Sequence, residues 1–237
     1  MPVCVRILYR LLVWWADNMS DNLQYTVATA MKEVGGLGKP SKMPGFSYSV
    51  PAQECKVGSK LAKIKGSVCY NCYALKGNYV RFPAVGKALY NRLDLVEDNP
   101  KWIGAMVFLV NWYARKKTTH FRWHDSGDIQ SVKHLTKIVE VCKLTPNVKH
   151  WLPTREAKVI KEYLKDYGGS FPSNLIVRVS ATMVDGKPHK FHKHTSTVVT
   201  EKTSKSYTCP APTQGNECKD CRACWDKRVS NVAYLEH

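Results

Sequence analysis

Between residues 121 and 200 the chain alternates short β-branched or aromatic runs with amphipathic helical segments, and this alternation limits the folds open to it. Residues 121–125 read as a short strand. Ser126, Gly127 and Asp128 follow as a turn, with Asp128 placed to cap the next helix. That helix is expected over 131–143, where Val132, Leu135, Ile138, Val139 and Cys142 fall on one side. The pattern repeats with a strand at 148–152, a turn through Pro153, Thr154 and Arg155, and a helix at 157–167 closed by Gly168 and Gly169. A third strand is expected at 175–180 and a fourth at 195–200. Strand followed by helix, repeated through short turns, builds a parallel sheet with right-handed crossovers. Three or four units are too few to close an eight-stranded barrel. The expected fold is therefore α/β: a partial (half) TIM-like barrel of parallel β-α units, or a small open sheet, with long cysteine-bearing loops and tail.

In such sheets ligands gather at the carboxyl ends of the strands. Those ends carry His124, Asp125 and Asp128, then Thr154, Arg155 and Glu156, then Ser180 and Thr182. They would line one polar rim, with Asp125, Asp128 and Arg155 as the candidate catalytic residues facing a ligand.

Upstream, residues 22–34 have helical spacing and stop at Gly35 and Gly36, and 38–65 reads as a loop broken by Pro40, Pro44 and Pro51. Helices are expected over 83–96 and 102–116; the second is apolar nearly all round and belongs deep in the core. Residues 1–18 read unlike the rest, and Met19 looks like a natural start. They are taken as a leader or start-site artefact ahead of a single domain over 19–237.

Seven of the nine cysteines fall into two groups. In the first, Cys55 is followed after thirteen residues by Cys69 and Cys72. The tight turn of a CxxC brings both sulfurs to one side, and the long loop lets the third approach from elsewhere. Three cysteines leave one position of a 4Fe–4S cluster open, the setting in which substrates or S-adenosylmethionine bind. The second group is Cys209, Cys218, Cys221 and Cys224, and its successive two-residue gaps resemble the ferredoxin ligand run. Zinc also takes four cysteines, usually as two separated CxxC pairs, and stands as the alternative metal.

Spacing leaves open whether the seven cysteines serve one centre or two. A shared centre needs the tail, about 205–237, to fold back on the Cys69–Cys72 loop. Cys142 reads as a core residue, and Cys4 lies in the leader. Without a secretory signal, tight CxxC pairs read as metal or redox sites rather than disulfides.

The 36 Lys and Arg residues outnumber 19 Asp and Glu and leave a net charge of +17. Such a field favours anionic partners: nucleic acid, a phosphorylated small molecule or an acidic host protein. His189, His192 and His194 sit among lysines and read as an exposed basic loop or an anion contact. No run approaches the ~20 apolar residues of a membrane span, so no membrane partner is expected.

Residues 69–74, 121–128, 151–156, 209–212 and 221–226 together resemble phage-encoded iron–sulfur proteins of the gene-product-eighty-eight type, carried by marine phages as auxiliary metabolic genes. The resemblance runs from about residue 44 to the C-terminus. It implies a 4Fe–4S cluster on a partial TIM-like barrel akin to the radical SAM fold, acting in the cytoplasm of the infected host cell. The chain departs from radical SAM enzymes, which hold three cysteines as CxxxCxxC in one loop; it also shows no clear Gly-Gly-Glu strand for the methionine moiety. Both departures weigh against S-adenosylmethionine as a ligand.

The leading expectation is a viral 4Fe–4S protein of redox, electron-transfer or radical-SAM-like character, with Cys55, Cys69, Cys72, Cys209, Cys218, Cys221 and Cys224 as ligands of one cluster or two. The alternative is a zinc-stapled nucleic-acid-binding protein, with aromatic faces for bases and Lys or Arg for phosphates. A third reading is a purely structural cluster beneath a protein-interaction surface.

Overall fold

The computed structural model describes residues 25–202, 204 and 206–236; the expected leader and Cys4 lie outside them. The amino-terminal half supplies helices. α1 (Val27–Val34) starts at Thr26, whose hydroxyl accepts from Thr29 N while the Thr29 hydroxyl accepts from Thr26 N, so two orphan donors are satisfied at once. Gly35 ends it at φ 72°. After β1 (Phe46–Tyr48) come α2 (Lys56–Leu61), α3 (Asn78–Arg81), α4 (Pro83–Asp98) and α5 (Trp102–Lys116). β-α alternation then begins: β2 (His120–Trp123), α6 (Val132–Leu144), β3 (Lys149–Thr154), α7 (Ala157–Asp166), β4 (Leu175–Ser180) and β5 (Thr195–Val199). The tail adds β6 (Tyr207–Thr208) and β7 (Asn231–Leu235).

These strands form a seven-stranded sheet in the order β1-β2-β3-β4-β5-β7-β6, with every pairing parallel. The mixed α/β class and the parallel sheet expected from the alternation are present. Three strands, β1, β6 and β7, had no legible signal: β1 and β6, at three and two residues, are too short to show a period. The short helix α2, like β1, lies inside the stretch read as a loop. β7 pairs in parallel with β5, a partner more than thirty residues away in sequence.

The expected capping role of Asp128 is corrected. Ser131 caps α6, its Oγ accepting from His134 N at 3.0 Å, and the Asp128 carboxylate is engaged elsewhere. The tight turn before it does need glycine. Gly127 has φ +75°, and a Cβ there would stand 2.4 Å from the carbonyl oxygen of Val50.

Register decides which residue faces which layer. Phe121 lies opposite His150, which lies opposite Leu175; Arg122 lies opposite Trp151, which lies opposite Ile176. Because side chains alternate with period two, Phe121, Trp123, His150, Leu152, Leu175, Val177 and Val179 share one face. They build the main core with α1, α4, α5, α6 and α7. At its centre the Trp102 Nε1–H donates to Tyr48 Oη at 3.0 Å, and the Tyr48 hydroxyl donates to Arg92 O at 2.7 Å. The opposite face presents Arg122, Trp151, Ile176 and Arg178, covered by the tail through a second small core of Trp151, Ala223, Cys224, Trp225 and Val232. With both faces covered, every residue of β4 is buried. Among the described residues no helix is long and apolar enough to cross a membrane.

Candidate functional site

The carboxyl ends of β1 to β4 form the rim, and the loop carrying Cys55, Cys69 and Cys72 is tied across it. Glu156, just after β3, accepts from Val57 N at 2.7 Å through Oε1. Lys56 Nζ donates to Gln130 O at 2.6 Å, Val68 N donates to Thr182 O at 3.0 Å, and the Tyr73 hydroxyl donates to Asp125 O. The ends of three strands, β2, β3 and β4, thus hold one cysteine loop.

The rim carboxylates are saturated with donors. Asp128 is buried; Oδ1 accepts from Ile129 N at 2.8 Å and from Thr154 Oγ1 at 2.6 Å, and Oδ2 from Arg155 N at 2.8 Å. Burial pushes its carboxyl up to about 6, against the pull of those hydrogen bonds. Asp125 accepts from the Ser49 hydroxyl and from Tyr79 Oη, the latter at 2.7 Å. Burial acts to raise its carboxyl, but Arg122 and the surrounding hydroxyls outweigh it and hold Asp125 below the usual range. Arg155 keeps its Nε buried without a partner. His124, at φ 56°, is buried with both ring nitrogens unpartnered, and burial, then Arg122, pushes it down to about 3.

Three thiols line this rim, two of them close together. A Cβ built on Gly58 would lie 3.6 Å from Cys55 Sγ and 3.6 Å from Cys69 Sγ, so both sulfurs converge on the first turn of α2. Burial raises the Cys55 thiol, and Asp128, Cys72, Cys69 and Glu156 add to it. Cys69 is raised chiefly by burial, with Arg155 opposing and Cys72 adding. The partly negative surroundings disfavour thiolates until a cation joins them.

The four tail cysteines gather on the other face of the sheet. Cys218 N donates to Lys42 O and Cys209 N to Ala233 O, each at 2.8 Å, which ties the first two cysteines of the tail to the rest of the fold. Cys221 Sγ lies 3.2 Å from Tyr207 Oη, and Cys224 Sγ 3.2 Å from Tyr234 Oη. Burial raises the thiols of Cys209 and Cys218, with Cys221 adding to each. Burial pushes Cys224 up to about 12, against the Tyr234 hydroxyl, Arg178 and Arg122.

Two arginines that sequence reading passed over organise this face. Arg178 is fully buried, and among the described residues no carboxylate is hydrogen-bonded to it. Its guanidinium instead donates to the carbonyls of Cys224 (3.1 Å), Ala223 (2.9 Å), Asp226 (3.1 Å), Val229 (2.9 Å), Ser230 (3.3 Å) and Thr195 (3.2 Å). The legible clue is a lone cation in an apolar strand, Leu175 to Ser180. Arg122 lies between the two cysteine groups electrostatically. It feels Tyr73 and Asp125 on the rim side and Tyr234 and Cys224 on the tail side, and its guanidinium sits 4.6 Å from the centre of the Trp151 ring.

All eight described cysteines are free thiols. Cys142 is in the core as expected. Of the histidine loop, His192 and His194 bond to Val177 O and Lys227 O at 2.9 and 3.0 Å and so brace the fold. Among the described residues no three His, Cys, Asp or Glu side chains converge closely enough to hold a single metal ion.

An all-parallel α/β sheet, with one cysteine group over its carboxyl rim and another in a tail against its face, defines a cysteine-clustered α/β protein. The chain belongs to the Gene product 88 family, a phage gene-product family whose model matches residues 21–227. No curated protein and no solved structure matches it.

Proposed function

We propose that this is a phage-encoded 4Fe–4S protein with two centres, serving a redox, electron-transfer or radical-SAM-like role in the cytoplasm of the infected host. The observation that carries the reading is the sorting of seven free thiols into a rim group of three and a tail group of four. A single zinc ion needs its donors on one point, whereas a cubane takes each thiolate on its own iron and tolerates wider spacing. The donors fit: the seven thiols are free, Cys69 and Cys224 are buried and the other five half-buried, burial raises the thiols of Cys55, Cys69, Cys209, Cys218 and Cys224, and Arg178 and Arg122 offset charge at Cys224.

When bound, such a cluster supplies one-electron transfer and, where three cysteines hold it, an open iron. The chain's own residues do the rest. Asp128 spends its carboxylate on Thr154 and the Arg155 backbone and so fixes the turn that presents Arg155. The unpartnered Arg155 Nε is the free donor for an anionic ligand at the rim. Asp125 is a positioning residue locked by Ser49 and Tyr79.

The test is anaerobic purification with iron, sulfide and zinc analysis and a visible spectrum. Two clusters give a broad band near ~400 nm and about eight iron per chain. Cys69→Ser and Cys221→Ser should each remove about half the iron. Loss of all iron in both variants means one shared centre, and a colourless protein holding stoichiometric zinc sinks the cluster reading.

A further inference from the structure

At the end of the sheet opposite the rim, a cavity of about 450 Å³ opens between the starts of β2, β3 and β4 and the tail. We infer that this cleft is a binding site for a phosphorylated small molecule. The polar side chains that set its charge are His120, Lys149, Arg222, Asp226, Lys227 and Arg228. Register explains the gathering. His120 pairs with Lys149, two residues before the pair Arg122 and Trp151, so both point to the tail-covered face. The tail then brings four of the six from a single short segment, 222–228.

Four cations face one carboxylate, and that carboxylate is already occupied. Asp226 is gripped by Arg228, with Nη2 to Oδ2 at 2.7 Å and Nε to Oδ1 at 3.0 Å. Arg222 donates through Nη1 to the carbonyls of Lys219 and Cys221, the latter at 2.8 Å, and lines the cavity. The Lys149 and Lys227 ammonium groups have no hydrogen-bond or ion-pair partner among the described residues. His120 adds a neutral donor or acceptor: its Nε2 is buried without a partner. Burial, then Arg222 and Lys149, pushes it down to about 4. Unpaired cations and an unsatisfied imidazole nitrogen around a concavity are the groups that hold phosphate oxygens.

The walls are rigid. Arg178 pins the carbonyls of the tail segment, and the Asn174 amide donates to Cys142, Thr145 and Val148 carbonyls at 2.9 to 3.0 Å. Size and surface favour a small molecule over a nucleic-acid strand. The volume falls within the roughly 300–1,000 Å³ of small-molecule sites. Strand binding relies on exposed aromatic faces, yet Trp225 is only 5% exposed and spends its Nε1–H on Phe121 O at 2.9 Å.

The inference does not depend on what the cysteines hold. Its test is a calorimetric titration of the full chain with inorganic pyrophosphate, beside the Lys149→Glu/Lys227→Glu variant. Both lysines are exposed, and unchanged circular dichroism confirms the variant's fold. One-to-one binding, weakened about a hundredfold by removing two charge-assisted contacts, is expected. If the double variant unfolds, Lys227→Ala alone should weaken binding about tenfold. No binding at millimolar pyrophosphate, or equal binding by folded variant and wild type, overturns the site. Binding of a short single-stranded DNA that the variant loses, without pyrophosphate binding, reassigns the cleft to nucleic acid and also overturns it.

Discussion

Arg178 Nε donates to the carbonyl oxygen of Cys224 at 3.1 Å, so a buried cation in the fourth strand holds the last cysteine of the tail in place. The same guanidinium serves five further carbonyls, and no side chain other than arginine brings five donors in a planar fork. Arg178→Met leaves those carbonyls buried and unmatched. It should lower stability by roughly 3–5 kcal/mol in chemical denaturation. It should also strip metal from the tail group while sparing the rim group. Arg178→Lys should fall between, because three donors cannot meet six acceptors. Wild-type stability in Arg178→Met would show that the carbonyl network is incidental.

Gly58 sits inside α2, where alanine would normally stabilise a helix by up to about 1 kcal/mol. Here a Cβ would come within 2.9 Å of Cys55 Cβ, closer than packed carbons approach. Gly58→Ala should therefore displace Cys55 and cut the metal content of the rim group, measured by iron and zinc analysis. A more stable variant with full metal content would mean that the two sulfurs do not need to meet there.

His150 is fully buried, accepts or donates at 2.8 Å to Thr145 Oγ1, and lies against Trp123. Burial alone pushes its imidazole down to about 3. Its folded value is depressed below the unfolded 6.5, so its contribution to stability is fully present above pH 6.5. That contribution is lost as pH falls toward 3, because the unfolded chain takes up the proton first. Each such histidine adds a slope of up to about 1.4 kcal/mol per pH unit below 6.5. His150→Gln, which keeps a polar partner for Thr145, should flatten the fall in urea midpoint between pH 6.5 and 4.5. An unchanged slope would place the acid sensitivity elsewhere.

Tyr79 Oη donates to Asp125 Oδ2 at 2.7 Å across the rim. Tyr79→Phe leaves that carboxylate oxygen short of a donor and should reduce stability by about 1–3 kcal/mol, read from guanidinium midpoints. It should also raise the Asp125 carboxyl toward its ordinary value, visible as a shifted carbonyl resonance in a pH titration.

The α/β class was legible because its signals are local. Residues 131–143 and 157–167 carry a helical period, Leu175 to Ser180 a strand composition, and glycine or proline marks each stop. The rim followed from a topological rule, and the structure does bring Asp128 and Glu156 beside Cys55 and Cys69, with Arg155 beside Cys69. What stayed illegible was non-local. Asp128 has the residue type of a cap, yet its carboxylate is claimed by Thr154 and Arg155, twenty-six and twenty-seven positions away.

By itself the sequence determined the alternation that makes a parallel sheet, the free cysteines at metal-ligand spacings, and the basic balance of the chain. Only the tertiary structure decided that the first cysteine group lies at the rim and the second against the sheet face, that Arg178 anchors one and Arg122 faces both, and that scattered cations converge on a cleft at the far end. The physical reason is range. Helix and strand periods arise from neighbours a few residues apart, whereas charge placement depends on strand register and on a tail that inserts β7 beside β5, contacts no local pattern encodes.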